Sequence, residues 1–145
     1  MFTRLATPED ALDVRRILDA SMLEPGNVEA RIEADDVFVA GDRWEASGDS
    51  NPSSAQTERV LGTIVLEPVG EAEDRKDGAH ISAIGVRRRH RGKGIGRSLV
   101  ERAIKRERRL TARFDADVYP FYESLEFSIE PIDDERYRGS LERPR

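Results

Sequence analysis

Residues 79–104, AHISAIGVRRRHRGKGIGRSLVERAI, constrain the fold more than any other stretch. Ala79 to Val86 reads as a strand, with β-branched residues at Ile81, Ile84 and Val86. From Ile95 onward the spacing turns helical: Leu99, Val100, Ala103 and Ile104 share one face and the arginines take the other. Between the two, glycines at 92, 94 and 96 alternate with other residues inside the most basic run of the chain. A strand passed to a helix through a tight glycine turn commits the chain to a sheet with a helix packed on it.

The basic run is set in an acidic chain. Arg87 to Arg109 holds 11 Lys/Arg and two acids, Glu101 and Glu107, for a net of +9. The chain as a whole carries −5, so the remaining residues carry −5 − 9 = −14. Arginine outnumbers lysine 21 to 3, which fits a salt-rich cytoplasm or GC-rich coding equally well. A length of 145 residues suits a single domain, 1–145, with a core of its own. Apolar and charged residues each make up 37%, and because the apolar ones fall in periodic blocks the chain reads as globular. The absence of cysteine excludes disulfides, thiolate metal sites and a cysteine nucleophile. Two histidines, His80 and His90, give no metal-ligand pattern. The N-terminus lacks an apolar run of signal-peptide length and no 18-residue apolar stretch occurs, so a soluble cytoplasmic protein is expected.

Other segments fill in the order. FTRLA (2–6) alternates as a short strand, and TPEDALDVRRILDASM follows as an amphipathic helix with Thr7 as its cap, ending near Pro25-Gly26. A shorter helix is expected over Val28–Ala34. DVFVAGDRWE reads as a strand leading, through Trp44, into a polar loop at 45–58. Trp44 can line a pocket or cover the sheet edge. RVLGTIVLEPV (59–69) is the most β-rich run, and a turn at 70–78 joins it to the strand at 79–86. Beyond the basic helix lie a strand at 110–116, a short helix in VYPFYESLEF and a last strand in FSIEPI. The tail from Asp133 is too polar to assign. The order is β-α-α-β-β-β-α-β-α-β, an α/β domain with a mixed, mostly antiparallel sheet.

A glycine turn at a helix start gathers free N–H groups around one centre and suits a phosphate. Dinucleotide sites use G-x-G-x-x-G and nucleotide-triphosphate loops use G-x-x-x-x-G-K-[S/T], and neither is present. The pattern that matches is R-x-x-G-x-G at Arg91, Gly94 and Gly96, directly after a strand ending in IGV. With its flanks it resembles the acyl-CoA pyrophosphate loop of the GNAT superfamily of N-acetyltransferases. FYESLEF downstream is similar to that family's second signature, F-Y-x-x-[L/F]-G-F. The resemblance covers Ile81–Phe127 closely and the first 60 residues by topology alone.

That resemblance implies a GNAT-like sheet flanked by helices, in which the strand before the loop splays from its neighbour. It implies acetyl-CoA as acyl donor, its pantetheine arm paired with Ile84, Gly85 and Val86. The pyrophosphate would sit on the amides of Gly92, Lys93, Gly94, Ile95 and Gly96, with Arg91 and Arg97. An amine acceptor of unknown identity (a small molecule, a lysine or a protein N-terminus) would attack the thioester directly, and a homodimer is common in the family. Tyr122 stands where the family often places its general acid; as a plain core aromatic it would need no such role. His80, on one strand face with Ser82 and Ile84, can act as base or be an ordinary strand histidine, and Glu67 is an alternative base. Glu126 replaces the usual Gly, and can close the short helix differently and shift Tyr122. Two rival functions remain: an acyl-CoA-binding module without turnover, and nucleic-acid binding by the basic run, which the acidic remainder opposes.

Overall fold

The computed structural model describes residues 1–20, 26–44, 57–68 and 78–142. Met22, the turn residues 69–77, the loop residues 45–56, the Trp44 side chain and the last three residues lie outside that set. The elements are β1 (Phe2–Leu5), α1 (Ala11–Ala20), α2 (Val28–Glu33), β2 (Val37–Trp44), β3 (Thr57–Pro68) and β4 (Ala79–Val86). They continue with α3 (Ile95–Arg106), β5 (Arg109–Asp115), α4 (Tyr119–Ser124), β6 (Ser128–Pro131) and β7 (Arg136–Glu142). Asp10 secures the start of α1: its carboxylate accepts from the Thr7 amide at 2.7 Å and from Arg4 at 2.7 Å. No described helix is long and apolar enough to cross a membrane.

The strands form one sheet in the order β1-β2-β3-β4-β5-β7-β6, antiparallel throughout except for the β4–β5 pair. β7 lies in the tail whose polarity hides it in the sequence. It lies between β5 and β6 and pairs with both. Its polarity has a simple origin: Tyr137 and Leu141 pack on the core while Arg136, Arg138 and Glu142 stand exposed on the other face.

Two apolar cores sandwich the sheet. On one face α3 and α4 cover Phe38, Leu61, Ile64, Leu66, Ala79 and Ile81, with Leu99 and Val100 fully enclosed. On the other, α1 and α2 bury Val14, Ile17, Leu18 and Ile32 against Val37, Val39, Val60, Val65 and Ala83. Truncating a residue such as Leu99 to Ala would cost about 2–5 kcal/mol. At one end of the sheet Arg106, stacked over Phe38, bridges the buried carboxylates of Asp36 (3.2 Å) and Glu107 (2.9 Å). Leaving either carboxylate without its cation would be costly, so the pair locks α3 to β2.

Two irregularities re-aim side chains. Gly41 pairs with Val60 whereas Ala40 pairs with Gly62, leaving Leu61 as an extra residue on β3. Val65 pairs with Ala83 whereas Leu66 pairs with Ile81, leaving Ser82 as an extra residue on β4. The second bulge corrects the expectation that His80, Ser82 and Ile84 share a face. Ala79 and Ile81 point into the α3/α4 core, and after the bulge Ile84 and Val86 do so as well, while Ala83 points to α1. His80 therefore lies on the opposite face from Ile84.

Candidate functional site

The site begins where β4 and β5 part. The two strands pair only at Ala79↔Leu110 and His80↔Thr111. From Ile81 to Val86 the β5-facing edge of β4 has no strand partner among the described residues, although β3 continues to hold the other edge through Ile64↔Ile84, Thr63↔Gly85 and Gly62↔Val86. At about 3.3 Å per residue the open edge from His80 to Val86 runs roughly 20 Å. Unpaired backbone of that length needs hydrogen-bonding partners, and an extended amide-bearing ligand supplies them. Ile84, Gly85 and Val86 thus stand on a free edge.

The slot runs into the glycine turn. Gly92 and Gly94 take φ of +78° and +84°, where an L side chain would be strained. A Cβ at either would meet nothing within 4 Å, so both glycines answer to backbone geometry and leave the approach clear. Gly94 caps α3 with no side chain to offer, and the first helical bond is Ser98 N–H to the Gly94 carbonyl at 3.0 Å. The amides of Ile95, Gly96 and Arg97 are left without an intrahelical acceptor at the positive end of the helix dipole. The Ile95 side chain is buried, so only its amide faces the turn. Arg91 and Lys93 are exposed, and Arg91 Nε donates to the Val86 carbonyl at 3.2 Å, folding the loop back over the strand end. Arg97 differs from expectation in its side chain, which reaches the Ser124 carbonyl at 3.0 Å and ties α3 to α4. Gly96 has a separate reason to lack a side chain: a Cβ there would stand 3.0 Å from the Phe121 ring.

α4 closes the slot from the core side. Tyr122 stacks on Phe114 of β5 (4.2 Å between centroids, 17° between planes) and meets Phe121 and Phe127 edge-on. Burial pushes its phenol up to about 12. The hydroxyl makes no hydrogen bond within the described chain, yet no buried side-chain oxygen or nitrogen lacks a partner, so it still has accessible surface. Glu126 does not close the helix differently. It adopts the glycine-like conformation itself, with φ +67°. The Phe127 amide donates to the Tyr122 carbonyl (3.3 Å) and the Glu126 amide to the Glu123 carbonyl (3.0 Å), a Schellman closure with glutamate in the glycine place. The helix that carries Tyr122 thus ends in the closure a glycine would give.

At the root of the slot, on the α1/α2 face, His80 is half-buried. Its Nδ1 lies 2.9 Å from Thr111 Oγ1, across the last β4–β5 pair. Burial lowers its pKa below the usual histidine value, with Arg113 adding to the shift and Glu67 opposing it. Glu67 is the cross-strand partner of His80 and stands 3.6 Å from Arg31 of α2.

The sequence matches the profile of the Acetyltransferase (GNAT) family over residues 13–127. The chain belongs to this family. Its fold is similar to that of Ard1 from Thermoplasma volcanium, at 18% identity and TM-score 0.68, over 99% of this chain and 98% of that one. It is also similar to yncA from Salmonella typhimurium, solved with its cofactor acetyl-CoA, at 16% identity and TM-score 0.68, over 100% and 95% of the two chains. A third, Rv2747 from Mycobacterium tuberculosis in complex with CoA and NLQ, matches at 16% identity and TM-score 0.68 over 98% and 99%. Among curated proteins none matches.

Within this GNAT fold some residues matter that the sequence did not single out. Arg87 is counted there only as one charge of the basic run. In the structure its amide donates to the Leu61 carbonyl (2.7 Å), its Nε to the Val60 carbonyl (2.9 Å), and its Nη2 to Asp13 of α1 (3.3 Å). Arg87 thus fastens the loop entrance to the β3 bulge and to α1. Phe121 seats α4 on the first turn of α3, and Thr111 orients the His80 ring. An arginine directly after the last strand residue is the only local signal for the first of these. Phe121 opens the FYESLEF signature, whereas the Thr111 contact depends on a strand pairing that no local pattern carries. Within the basic run, Arg87, Arg97 and Arg106 have partners inside the fold and Arg102 lies over Phe38.

Proposed function

We propose that this acetyltransferase moves the acetyl group of acetyl-CoA to a primary amine by direct attack. The observation that supports this best is the splay of β4 from β5 ending at an uncapped, glycine-led helix start. An extended arm with amide groups fits the free β4 edge, and a pyrophosphate fits the amides of Gly92 to Arg97, with Arg91 and Lys93 at the rim. The chemistry follows from what then surrounds the thioester. The acceptor nitrogen bonds to the thioester carbonyl carbon, the carbon–sulfur bond breaks, and sulfur leaves with the electron pair. The amine loses one proton to His80, directly or through water. With Thr111 accepting from Nδ1–H, Nε2 carries the lone pair for that transfer. The lowered pKa of His80 keeps the ring neutral and available near pH 7. Glu67 is the second candidate, but it shares its carboxylate with Arg31, so His80 suits the base role better.

Tyr122 serves the leaving sulfur. A phenol pushed up to about 12 stays protonated at any working pH and donates a hydrogen bond to the growing thiolate. Complete transfer to a thiolate, whose ordinary pKa is about 8.5, runs uphill, so donation rather than loss of the proton is its main service and solvent supplies the final proton. Thiol release from acetyl-CoA, followed across a panel of amines, tests the proposal. Release that depends on an added amine, with the acetylated amine found by mass spectrometry, is expected. Tight acetyl-CoA binding with no release for any amine would instead favour a binding module without turnover.

A further inference from the structure

On the α1/α2 face of the sheet beyond β4, Arg113, Ser128 and Arg138 are exposed. Leu110, Ala112 and Phe114 of β5 point into the α3/α4 core, which leaves Thr111 and Arg113 on the α1/α2 side. Arg113 is directly opposite Arg138 of β7, and Arg138 is opposite Glu130 of β6. The neighbouring row is Thr111, Ser140 and Ser128, uncharged and hydroxyl-bearing, and it leads straight to His80. Like charges directly opposite each other across antiparallel strands, with Cβ atoms about 4.5–5.5 Å apart, destabilise a sheet. Little offsets this pair. Arg138 reaches Glu130 only at 3.7 Å, with both side chains at least half exposed. Among the described residues Arg113 has no ion-pair or side-chain hydrogen-bond partner. Asp115, the next acid on the same face, has its Oδ1 engaged by the Asp117 amide.

We infer that Arg113 and Arg138 form an anion subsite for the acceptor, which is therefore an amine bearing a carboxylate or a similar anionic group. This rests on the acetyl-transfer reading of the slot. Arg113 lies two residues past Thr111 along β5, or about 7 Å, so an anion held there places an amine one short spacer away at His80. Two guanidinium forks suit an oxyanion, which each can grip by two bonds. The same cations bring positive charge to the side of His80, where a dicationic or polycationic amine would be repelled. An acceptor that carries its own anion relieves the Arg113–Arg138 repulsion and delivers its amine to a neutral histidine. A free α-amino acid has this pattern; a polyamine or an amide-capped amine does not.

Two measurements on the full chain test the inference. In the first, Arg Nε–H resonances are followed during titration with acetate and, separately, inorganic phosphate at constant ionic strength. Saturable shifts of Arg113 and Arg138 are expected, and the Arg113→Gln variant should lose them at Arg138 as well; the stronger of the two anions identifies the group. Shifts that stay linear, or that appear equally at every surface arginine, would overturn the subsite. In the second, thiol release is compared for L-amino acids and their carboxamides. The free acids should show at least a tenfold lower KM, and Arg113→Gln and Arg138→Gln should erase that ratio while KM for acetyl-CoA holds. Carboxamides accepted equally well, or a ratio untouched by either substitution, would overturn it. The titration needs no turnover, so it decides the subsite even if the acetyl-transfer reading itself fails.

Discussion

The turn before α3 and the turn after α4 flank the same slot, and both hold residues with positive φ. In the first the residues are Gly92 and Gly94, with open space where a Cβ would be. In the second it is Glu126, an L residue held in a conformation that costs such residues about 1–2 kcal/mol. The difference lies in which part of the chain faces the slot. Before α3 the proposed binding uses the backbone amides, which side chains would only obstruct. After α4 the group that the proposed reaction uses is a side chain, Tyr122, and the backbone merely has to hold it. The chain tolerates strain at Glu126 because Phe114, Phe121 and Phe127 fix the tyrosine from three sides.

Replacing the side chain on the α4 side should damage rate alone. Tyr122→Phe is expected to lower kcat about 100-fold. Its KM for acetyl-CoA should hold, and its stability should stay within about 0.5 kcal/mol because the hydroxyl has no partner in the fold to lose. Equal losses in binding and rate would mean that the two turns do not divide the work. A larger side chain where the turns touch should damage both. Gly96→Val drives a methyl into Phe121 and should destabilise by roughly 2 kcal/mol in denaturant unfolding while weakening acetyl-CoA binding, since α4 and the loop shift together.

Removing the strain at the second turn sharpens the contrast. Glu126→Gly should raise stability by about 1 kcal/mol, the relief of the left-handed conformation less the extra chain entropy of glycine, and leave kcat unchanged. The smallest effect lies at the root of the slot. His80 has a folded pKa below its unfolded value, so the unfolded chain binds more protons between the two. Its contribution to stability is complete above about pH 6.5 and fades as pH falls through the folded value. Urea midpoints from pH 7.5 down to 5 should show a shallow decline that His80→Asn flattens. The acid limb of kcat/KM should lie below pH 6.5 for the same reason.

The strand, glycine turn and helix from 79 to 106 were legible because each relies on a local pattern: alternation, glycine spacing, a 3.6-residue apolar repeat. The apolar faces of α1 and α3 followed the same rule. β7 was not legible because Arg136, Arg138 and Glu142 face solvent, and only Tyr137 and Leu141 report the buried side. The bulges at Leu61 and Ser82 escape for another reason: a period of two cannot show where one residue is skipped, so alternation alone puts His80 on the same face as Ile84. In the candidate site the loop glycines could be read from spacing and resemblance. The Arg87 anchor, the Thr111 contact and the Arg113–Arg138 opposition arise from pairings between distant segments.

The claim that joins these observations is that the free β4 edge and the glycine turn together bind acetyl-CoA. Melting temperature with and without acetyl-CoA, for the wild type and for Gly94→Glu, tests it most directly. Gly94→Glu should itself melt lower, by the roughly 1–2 kcal/mol that a positive φ costs an L residue. At 100-fold over Kd the wild type should gain about 2.7 kcal/mol, a rise of roughly 5–10 °C, and Gly94→Glu should gain nothing. An unchanged wild-type melting temperature at saturating acetyl-CoA, or an equal rise in both proteins, would contradict the account.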